Sequence, residues 1–516
     1  MKAADLPLHY NLCDILEHNL GTRSDKTALL SDDGSMTFGE VSRQVNQVGN
    51  ALKRLDVRFG DCVAILCPDL PEWAISFFAV GKIGGIALGM NTLLKTEEYD
   101  YILADSRARV LIVHDSLLGT IEPVLAQHAT LHHVIVIGDA GDSGYVTFHK
   151  WIDGESAVLD AERTHRDDFC SLHYSSGTTG MPKGVLHAHK DYPLIAQLSA
   201  VDVFGITEND RTFSVAKLFF VYGMGGNLIF PWYVGASCVL YAGSPRQVAG
   251  VLKAIETYEP TVFVGVPTVY GAILALPKFS ERFNMRSIRL CLSAGEALPV
   301  SAWQAWKEAT QLDIFDTIGC TETLHTFMAN WSGSTRPGSS GKPIDGYAVR
   351  LVDDAGNEVS QGEVGHLMVR GESTALSYLH QYEKTRDTFR GEWLFTGDQY
   401  RVDKDGYYWH AGRGDDMLKV GGLWVSPLEI ERALCQHDAV TECAVVGHFD
   451  PAGLLKPKAF VCLQDSTKAS TALLGELLKV CAKTLDVHKR PRWIEFVGDL
   501  PRTATGKVQR FKLRKP

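Results

Sequence analysis

A segment rich in glycine and hydroxyl side chains at residues 174–184, YSSGTTGMPKG, constrains the architecture of this 516-residue chain more than any other feature. Its glycines let backbone N–H groups approach an anion closely, its serines and threonines can bond that anion, and its lysine can neutralise it. The segment follows the apolar run FCSLHY, which ends abruptly where the loop begins. A plain surface turn is the alternative interpretation, but a buried strand that leads directly into the loop favours a phosphate-binding site.

This loop is different from the P-loop of other nucleotide-binding proteins, because the spacing GxxxxGK[ST] occurs nowhere in the chain. Strand-like and helix-like runs alternate around it. The runs GDCVAILCP, VLIVHD and HHVIVIGD are typical of buried strands, and residues 38–55 and 71–84 have helical spacing. This alternation predicts parallel sheets covered by helices, with ligands bound in loops at the carboxyl ends of the strands.

The length of the chain and a change of pattern near its end predict more than one domain. Residues 341–414 contain mostly short strand and turn signals, which predict a small barrel-like subdomain at the end of a large α/β domain, 1–414. Residues 415–516 have the pattern of a compact α+β domain. The predicted fold is therefore α/β, with helix-covered sheets, a small β-barrel-like subdomain and a small mobile α+β C-terminal domain.

Charge and cysteine usage exclude several classes of protein. The formal net charge of −10 argues against a nucleic-acid-binding protein, whose affinity depends on clustered Lys and Arg. The eleven cysteines include no CxxC pair and no His/Cys cluster, so they indicate neither a disulfide framework nor a zinc site. The first twenty residues lack an apolar signal core, and we expect a cytoplasmic protein that does not bind membranes.

The phosphate loop resembles that of the adenylate-forming superfamily, which comprises acyl- and aryl-CoA synthetases, the adenylation domains of nonribosomal peptide synthetases, and luciferases. Further motifs follow in the order found in that family, and the match covers nearly the whole chain: SAGEAL at 293–298, DTIGCTET at 316–323, WLFTGD at 393–398, GRGDD at 412–416 and LPRTATGK at 500–507. Most of the superfamily has a tyrosine that stacks on adenine where this chain has Ile318. The benzoate-CoA ligase branch shares this aliphatic residue, and residues 217–223 and 319–327 also resemble that branch.

The resemblance implies ATP, Mg²⁺ and coenzyme A as cofactors. The residues it places at the nucleotide and CoA sites are Ser175, Ser176, Gly177, Thr178, Thr179, Gly180, Lys183, Gly295, Glu296, Ala297, Asp316, Ile318, Gly319, Asp398, Arg413, Gly421 and Gly422. Asp398 matches the carboxylate that bonds both ribose hydroxyls, and Gly421 and Gly422 match the segment along the pantetheine tunnel. Arg413 matches a contact to ribose and phosphate.

The resemblance also implies the catalytic groups. Lys507 matches the cation that contacts the substrate carboxylate and the α-phosphate, and Thr321 matches a phosphate ligand. Glu322 offers hard oxygen atoms suited to Mg²⁺. Asp415 matches the hinge about which the C-terminal domain rotates between the two half-reactions. The acyl pocket is expected to involve Phe220, Tyr222, Gly223, Ala294 and His325.

These residues predict an ATP-dependent aryl-CoA ligase that activates benzoate or a substituted benzoate, such as aminobenzoate or hydroxybenzoate. Adenylation is needed because hydroxide is a poor leaving group, so a free acid does not react with a thiol. Three alternatives remain open: an enzyme that loads an aryl or acyl group on the phosphopantetheine of a carrier protein, a medium-chain or alicyclic acyl-CoA synthetase, and a nucleotide-binding regulatory protein with a degenerate site. The segment around Lys507 also resembles sites of reversible lysine acylation, which implies a lysine acetyltransferase as a partner. We expect a monomer or a homodimer.

Overall fold

The computed structural model describes residues 1–175, 181–420, 423–451, 453–466, 469–502 and 508–514. The density of backbone contacts divides the chain into two compact units. The first unit consists of Met1–Ala348 and Val369–Leu394, and the second consists of Val349–Met368 and Phe395–Pro516. Among the residues described, no helix is long and apolar enough to cross a membrane.

The strands and helices are numbered here in chain order. The strands up to residue 343 are β1 (Thr27–Ser31), β2 (Gly34–Thr37), β3 (Cys62–Leu66), β4 (Ile86–Gly89), β5 (Val110–His114), β6 (His133–Ile137), β7 (Val146–Thr147), β8 (Phe169–Ser175), β9 (Lys183–Ala188), β10 (Arg211–Ser214), β11 (Ser237–Val239), β12 (Val262–Gly265), β13 (Leu290–Ser293), β14 (Ile314–Gly319), β15 (Thr326–Ala329) and β16 (Lys342–Pro343). The later strands are β17 (Tyr347–Val352), β18 (Gly365–Gly371), β19 (Phe389–Arg390), β20 (Trp393–Val402), β21 (Tyr408–Arg413), β22 (Leu418–Val420), β23 (Leu423–Val425), β24 (Val440–Phe449), β25 (Leu455–Leu463) and β26 (Trp493–Phe496).

The α-helices are α1 (Asp14–Glu17), α2 (Leu20–Arg23), α3 (Phe38–Arg54), α4 (Pro71–Lys82), α5 (Thr96–Ser106), α6 (Asp115–Leu125), α7 (Phe148–Ile152), α8 (Asp191–Ile195), α9 (Val221–Met224), α10 (Phe230–Val234), α11 (Val248–Tyr258), α12 (Pro267–Leu274), α13 (Phe279–Arg282), α14 (Val300–Thr310), α15 (Tyr382–Thr388), α16 (Pro427–Leu434), α17 (Thr471–Thr484) and α18 (Arg510–Leu513). A π-helical segment, Ala196–Val201, continues α8, and a second one, Gly225–Ile229, joins α9 to α10.

Two sheets form the framework of the first unit. The seven-stranded sheet has the order β7-β6-β5-β3-β4-β8-β9, and all its neighbouring strands are parallel except β8 and β9. The nine-stranded sheet has the order β16-β15-β14-β13-β12-β10-β11-β1-β2, and its central pairs from β1 to β14 are parallel. The predicted α/β architecture with parallel, helix-covered sheets is thus confirmed.

A local signal explains why helix α3 begins where it does. The Thr37 hydroxyl accepts from the backbone N–H of Glu40, and the Glu40 carboxylate accepts from that of Thr37, which is a capping box that starts α3. Val41, Val45 and Val48 recur at helical spacing in α3 and are fully buried. The helix therefore packs one apolar face on the protein interior, as the periodicity predicts.

The second unit contains the C-terminal three-stranded sheet, in which β24 pairs antiparallel with β25 and β25 pairs parallel with β26. Ile430 of α16 and Leu477 of α17 share one hydrophobic core with Val445 and Ala459 of this sheet. The predicted compact α+β pattern of the C-terminal residues is therefore confirmed.

The predicted domain boundary between residues 414 and 415 differs from the division by contacts, since 349–368 and 395–414 group with the C-terminal residues. The two units are compact parts of the fold, whereas the predicted boundary marks the start of the segment that is expected to rotate. The boundary at 414/415 and the barrel-like arrangement of 341–414 therefore stay predictions.

Candidate functional site

The predicted phosphate loop is the connection of a β-hairpin. Strands β8 and β9 pair antiparallel, with Ser175 opposite Lys183 and Tyr174 opposite Gly184. The strand expected before the loop is thus confirmed, and the two ends of the loop lie side by side. The other residues predicted for this loop lie outside the described residues: Ser176, Gly177, Thr178, Thr179 and Gly180.

Lys183 and Glu322 lie close together in the first unit, although they are 139 positions apart in the sequence. The Lys183 ammonium is 4.0 Å from Oε1 of Glu322. Tyr378 joins the pair: its hydroxyl donates to Oε1 of Glu322 at 2.6 Å, and Lys183 Nζ lies 3.4 Å from that hydroxyl. Burial, followed by the charge of Glu322, raises the pKa of Tyr378, so the phenol keeps its proton and remains a donor. The structure therefore places a cation, a carboxylate and a phenol at one end of the hairpin.

Glu322 belongs to a short 3₁₀ turn, Thr321–Thr323, that follows strand β14. Leu324, directly after the turn, has a φ of 65°, a backbone conformation that residues other than glycine seldom adopt. Sequence analysis selected Thr321 and Glu322 from their motif. It gave no indication of the strained residue that ends the turn.

The predicted nucleotide residues of the nine-stranded sheet lie at the carboxyl ends of adjacent parallel strands. Ser293, the last residue of β13, pairs with Asp316 of β14. The loop with Ala294, Gly295, Glu296 and Ala297 starts immediately after β13, and Gly295 has a φ of 91°, which favours glycine. The Oδ2 atom of Asp316 accepts from the backbone N–H of Leu298 at 3.4 Å, so β14 contacts this loop. The predicted position of these residues at a strand-end edge is thus observed.

Ile318 and Gly319 end strand β14 and pair with β15. A Cβ atom on Gly319 would lie 2.3 Å from the carbonyl oxygen of His325. Because that neighbour is backbone, any side chain at position 319 would displace strand β15. Gly319 is therefore required for the packing of β14 against β15.

His325 and Tyr222 of the predicted acyl pocket are in contact. The centroid of the His325 ring is 5.6 Å from that of Tyr222 and 4.5 Å from that of Phe230. Nε2 of His325 lies 3.3 Å from the carbonyl oxygen of Tyr222, and the Tyr222 hydroxyl donates to the carbonyl of Gly265 at 3.1 Å. Burial, only partly offset by the Tyr222 carbonyl, lowers the pKa of His325 to about 4, so its imidazole is neutral near pH 7.

Small residues allow this packing. A Cβ atom on Gly225, in the π-helical segment, would lie 2.3 Å from Cδ2 of His325. A Cβ atom on Gly223 would lie 2.3 Å from two backbone carbonyl oxygens. Ala294 is also buried, whereas Phe220 packs against Phe219 with ring centroids 4.5 Å apart.

Asp398 and Arg413 lie opposite each other on strands β20 and β21 in the second unit. The guanidinium donates to Oδ1 of Asp398 at 3.1 Å, and Nε2 of His410 lies 3.6 Å from the same oxygen. Burial by itself raises the pKa of Asp398, but His410 and Arg413 outweigh burial and hold that pKa below its usual value. Asp398 is therefore a half-buried carboxylate that is ionised at neutral pH.

Three further predicted residues lie outside the described residues, namely Lys507, Gly421 and Gly422. Arg502 and Val508, the described residues on either side of 503–507, pair in an antiparallel bridge. Asp415, the predicted hinge residue, is the middle residue of a short 3₁₀ turn, Gly414–Asp416.

Two groups near Glu322 were not predicted from the sequence. One is Tyr378, which stands in a stretch without motif-like spacing. The other is the buried pair of His187 and Asp191, whose Nδ1 and Oδ2 atoms are 2.9 Å apart. The sequence LHAHKD contains a histidine and an aspartate at i and i+4, but this pattern is too common to distinguish a site.

Comparison with known proteins identifies relatives over the whole chain. The AMP-binding enzyme family matches residues 16–379, and the AMP-binding enzyme C-terminal domain matches residues 429–507. A benzoate-CoA ligase of Thauera aromatica is 44% identical over 99% of this chain and 97% of its own length.

Two solved structures are similar in fold as well as in sequence. The anthranilate CoA ligase AuaEII, in complex with anthranoyl-AMP, is 57% identical with a TM-score of 0.95, over 99% of this chain and 98% of that one. A benzoate CoA ligase from Burkholderia xenovorans LB400 is 39% identical with a TM-score of 0.90, over 98% of this chain and 100% of that one.

Proposed function

Since this chain belongs to the AMP-binding enzyme family, we infer that it is an AMP-forming aryl-CoA ligase. It activates a benzoate-type acid with ATP, releases pyrophosphate and transfers the acyl group to the thiol of coenzyme A. The observation that carries this conclusion is the 44% identity to a benzoate-CoA ligase over 99% of the chain. The retained Lys183, Glu322 and Asp398 argue against a degenerate site.

The residues at the hairpin end suit the first half-reaction, in which the substrate carboxylate attacks the α-phosphorus of ATP. Lys183 supplies a positive charge next to the loop that would hold the phosphates, and the Thr321 hydroxyl can donate to a phosphate oxygen. Positioning and charge neutralisation do most of the work in such transfers. In the second unit, Asp398 would accept from the ribose hydroxyls, since an ionised carboxylate has two acceptor oxygens.

Glu322 is the residue that fits Mg²⁺. Among the described residues there is no group of three or more His, Cys, Asp or Glu side chains that could hold a metal by themselves. Mg²⁺ usually binds through one or two carboxylates together with the phosphates of a substrate, so a single half-buried glutamate fits it. When bound, the ion would neutralise charge on the phosphate oxygens. The chain's own contribution is to keep the Glu322 carboxylate oriented, through Tyr378 and Lys183.

We propose 2-aminobenzoate as the preferred acid. The solved structure that is 57% identical to this chain holds anthranoyl-AMP. In this chain, Nε2 of His325 lies next to the Tyr222 carbonyl, which can only accept a hydrogen bond. The single hydrogen of the neutral imidazole is therefore on Nε2, and Nδ1 is left as an acceptor. Nδ1 is buried, and no described residue forms a hydrogen bond with it. An amino group on the substrate ring would supply the missing donor, whereas benzoate has none.

A panel of acids tests both the aryl class of the substrate and the preference for 2-aminobenzoate. Pyrophosphate release and the mass of the CoA thioester are measured with benzoate, 2-aminobenzoate, hydroxybenzoates, cyclohexanecarboxylate, hexanoate, acetate and palmitate. We expect aryl acids to lead in kcat/KM, with 2-aminobenzoate first, because a flat pocket orders a ring at lower entropic cost than a flexible chain. Palmitate, hexanoate or acetate in first place would refute the aryl assignment.

The substitution His325→Phe tests the preference for 2-aminobenzoate separately from the aryl-CoA ligase activity. It should reduce the preference for 2-aminobenzoate over benzoate and leave the rate with benzoate comparatively unchanged. Equal losses for both acids would contradict the role of Nδ1 as the acceptor. Replacing CoA with a phosphopantetheinylated carrier protein tests the carrier-loading alternative. Because both acceptors present the same thiol, only a comparison of the thioester-forming rates with each acceptor separates the two functions.

Further roles are proposed from the family resemblance alone. We propose that Lys507 is the cation of the adenylation step, that Gly421 and Gly422 line the path of the pantetheine arm, and that Asp415 is the hinge. Acetylation of Lys507 by a lysine acetyltransferase would remove its charge and stop adenylation. The cytoplasmic location and the oligomeric state also stay predictions.

A further inference from the structure

Strand β9 contacts the Thr321–Thr323 turn at two points. Its first residue, Lys183, lies 4.0 Å from Glu322, and His187 lies four positions further along the strand. Residues 183 and 187 share one face of β9, because side chains alternate along a strand. Nε2 of His187 is 2.7 Å from the carbonyl oxygen of Thr321. The hairpin that holds the phosphate loop is thus tied to the turn that holds Glu322.

His187 is buried and its ring is fixed at both nitrogens. None of its surface is exposed, and only 3% of Asp191 is. A carbonyl oxygen and a carboxylate oxygen can only accept, so Nε2 donates to Thr321 and Nδ1 donates to Asp191. Oδ2 of Asp191 lies 2.9 Å from Nδ1 and also accepts from the backbone N–H of Ala188 at 2.9 Å. This arrangement of carboxylate, imidazole and acceptor sets the orientation of the ring, as in sites where a carboxylate orients a functional histidine.

All three carbonyls of the turn accept hydrogen bonds from other segments. His187 donates to that of Thr321, the backbone N–H of Ala375 donates to that of Glu322 at 2.8 Å, and the Ser373 hydroxyl donates to that of Thr323 at 3.0 Å. The turn needs such support, since the residue that ends it, Leu324, has a φ of 65°. A strained backbone persists only where its surroundings fix it. His187 is the side-chain donor for the carbonyl next to Glu322.

We propose that His187 is a positioning residue for the adenylation site, oriented by Asp191, and that it holds the Thr321–Glu322 backbone in the conformation that binds ATP together with Mg²⁺. This role rests on the proposed function of Glu322. His187 acts through the Thr321 carbonyl and touches neither substrate nor metal. Its loss should therefore weaken the binding of Mg²⁺·ATP and leave the binding of the aryl acid unchanged.

Three substitutions at this position separate the two hydrogen bonds. His187→Gln places an amide N–H near the position of Nε2 and can still reach Thr321. His187→Asn places its amide near the position of Nδ1 and can bond only Asp191. His187→Leu fills the space and bonds neither. His189→Asn is the matched control, because His189 is a buried histidine just beyond the end of the same strand whose Nδ1 accepts from Leu12 N–H, away from the turn.

The readouts are titration calorimetry of ATP with and without Mg²⁺, pyrophosphate release as a function of Mg²⁺ and of acid, and thermal unfolding. We expect His187→Asn and His187→Leu to weaken Mg²⁺·ATP binding roughly tenfold or more, the usual effect of losing a group that orients a ligand. His187→Gln should lie within about threefold of the unaltered chain, a smaller loss than that of one hydrogen bond. The KM for the aryl acid should not change in any of them, and His189→Asn should affect only the thermal midpoint.

Several outcomes overturn the proposal. They are Mg²⁺·ATP binding by a folded Asn or Leu variant that equals that of the unaltered chain, equal losses in the Gln and Asn variants, or a loss in His189→Asn as large as that in His187→Asn. If His187→Asn does not fold, the comparison of Leu with Gln decides the same question. An unaltered chain that forms no aryl-CoA thioester would refute the proposed function instead, and calorimetry would still decide the role of His187.

Discussion

The hydroxyl of Tyr378 donates to Oε1 of Glu322 at 2.6 Å, which joins a residue of the segment between β18 and α15 to the turn after β14. Lys183 approaches both residues, with Nζ 4.7 Å from the centre of the Tyr378 ring. A carboxylate held by one phenol and one ammonium has a restricted orientation before any nucleotide arrives. Catalytic groups gain most when they are fixed in advance in this way.

Tyr378→Phe should therefore slow formation of the acyl-adenylate. The substitution removes a hydrogen bond to a charged acceptor, worth about 1.5–3 kcal/mol, or about tenfold to a hundredfold in rate. Pyrophosphate release at saturating acid measures it. Tyr382→Phe is the control, because Tyr382 is 73% exposed and lies only four positions away. Equal rates in the two variants would remove Tyr378 from the adenylation site.

Replacement of Asp398 should weaken ATP binding. If the carboxylate accepts from both ribose hydroxyls, Asp398→Ala removes two charge-assisted hydrogen bonds of about 1.5–3 kcal/mol each, with their sum as an upper guide. It also leaves Arg413 without the carboxylate that now lies 3.1 Å from it. Asp398→Asn keeps one acceptor oxygen and should give an intermediate affinity in calorimetry. Unchanged affinity for ATP in a folded Asp398→Ala variant would exclude the ribose role.

The sequence predicted the parts of the site that have regular spacing, and it missed those that depend on tertiary contacts. The strand before the phosphate loop and the strand ends that open into the nucleotide loops follow from local pattern, and Asp316 and Glu322 were indicated by their motif. Tyr378 and His187 have no such signal, because each becomes relevant only when distant segments meet at Glu322. The contact between Lys183 and Glu322 likewise spans two sheets, and neither strand's pattern indicates the other.

Stability should fall as the pH drops below about 6.5, the usual pKa of histidine. Burial lowers the pKa of His173 to about 3 and, despite a nearby acidic group, that of His189 to about 4. The unfolded chain therefore binds protons first, so these two histidines destabilise the fold progressively as the pH falls from about 6.5 towards about 4 for His189 and about 3 for His173. His189→Asn keeps the acceptor for Leu12 N–H and cannot titrate in this range.

The thermal midpoint of His189→Asn should therefore decline less steeply with acid than that of the unaltered chain. In terms of the free energy of unfolding, the slopes of the two chains against pH should differ by at most about 1.4 kcal/mol per pH unit, the value for one proton. His149→Asn serves as the comparison, because the His149 side chain is 71% exposed. A His189→Asn profile that parallels that of the unaltered chain from pH 6.5 to 4 would show that His189 does not contribute to acid sensitivity.

The last prediction concerns Lys507 and the two half-reactions. The segments on either side of this residue are held in the second unit: Gln509 N–H donates to the carbonyl of Pro501 at 2.7 Å, and Arg510 forms an ion pair with Glu431 at 2.8 Å. Lys507→Ala should therefore leave the fold intact. If Lys507 contacts the α-phosphate only during adenylation, this variant loses several kcal/mol of transition-state stabilisation in that step, on the order expected for a preorganised charge.

The same variant should convert supplied aryl-AMP and CoA to the thioester at a near-normal rate, since that step does not need the lysine at the phosphate. Asp415→Pro should show the opposite pattern, because a φ fixed near −65° restricts the proposed hinge and would keep the domain in its adenylation arrangement. Pyrophosphate release would then persist while thioester formation slows. Measuring both half-reactions in both variants tests the division of labour, because an equal loss of both steps in each variant is incompatible with a domain that alternates between them.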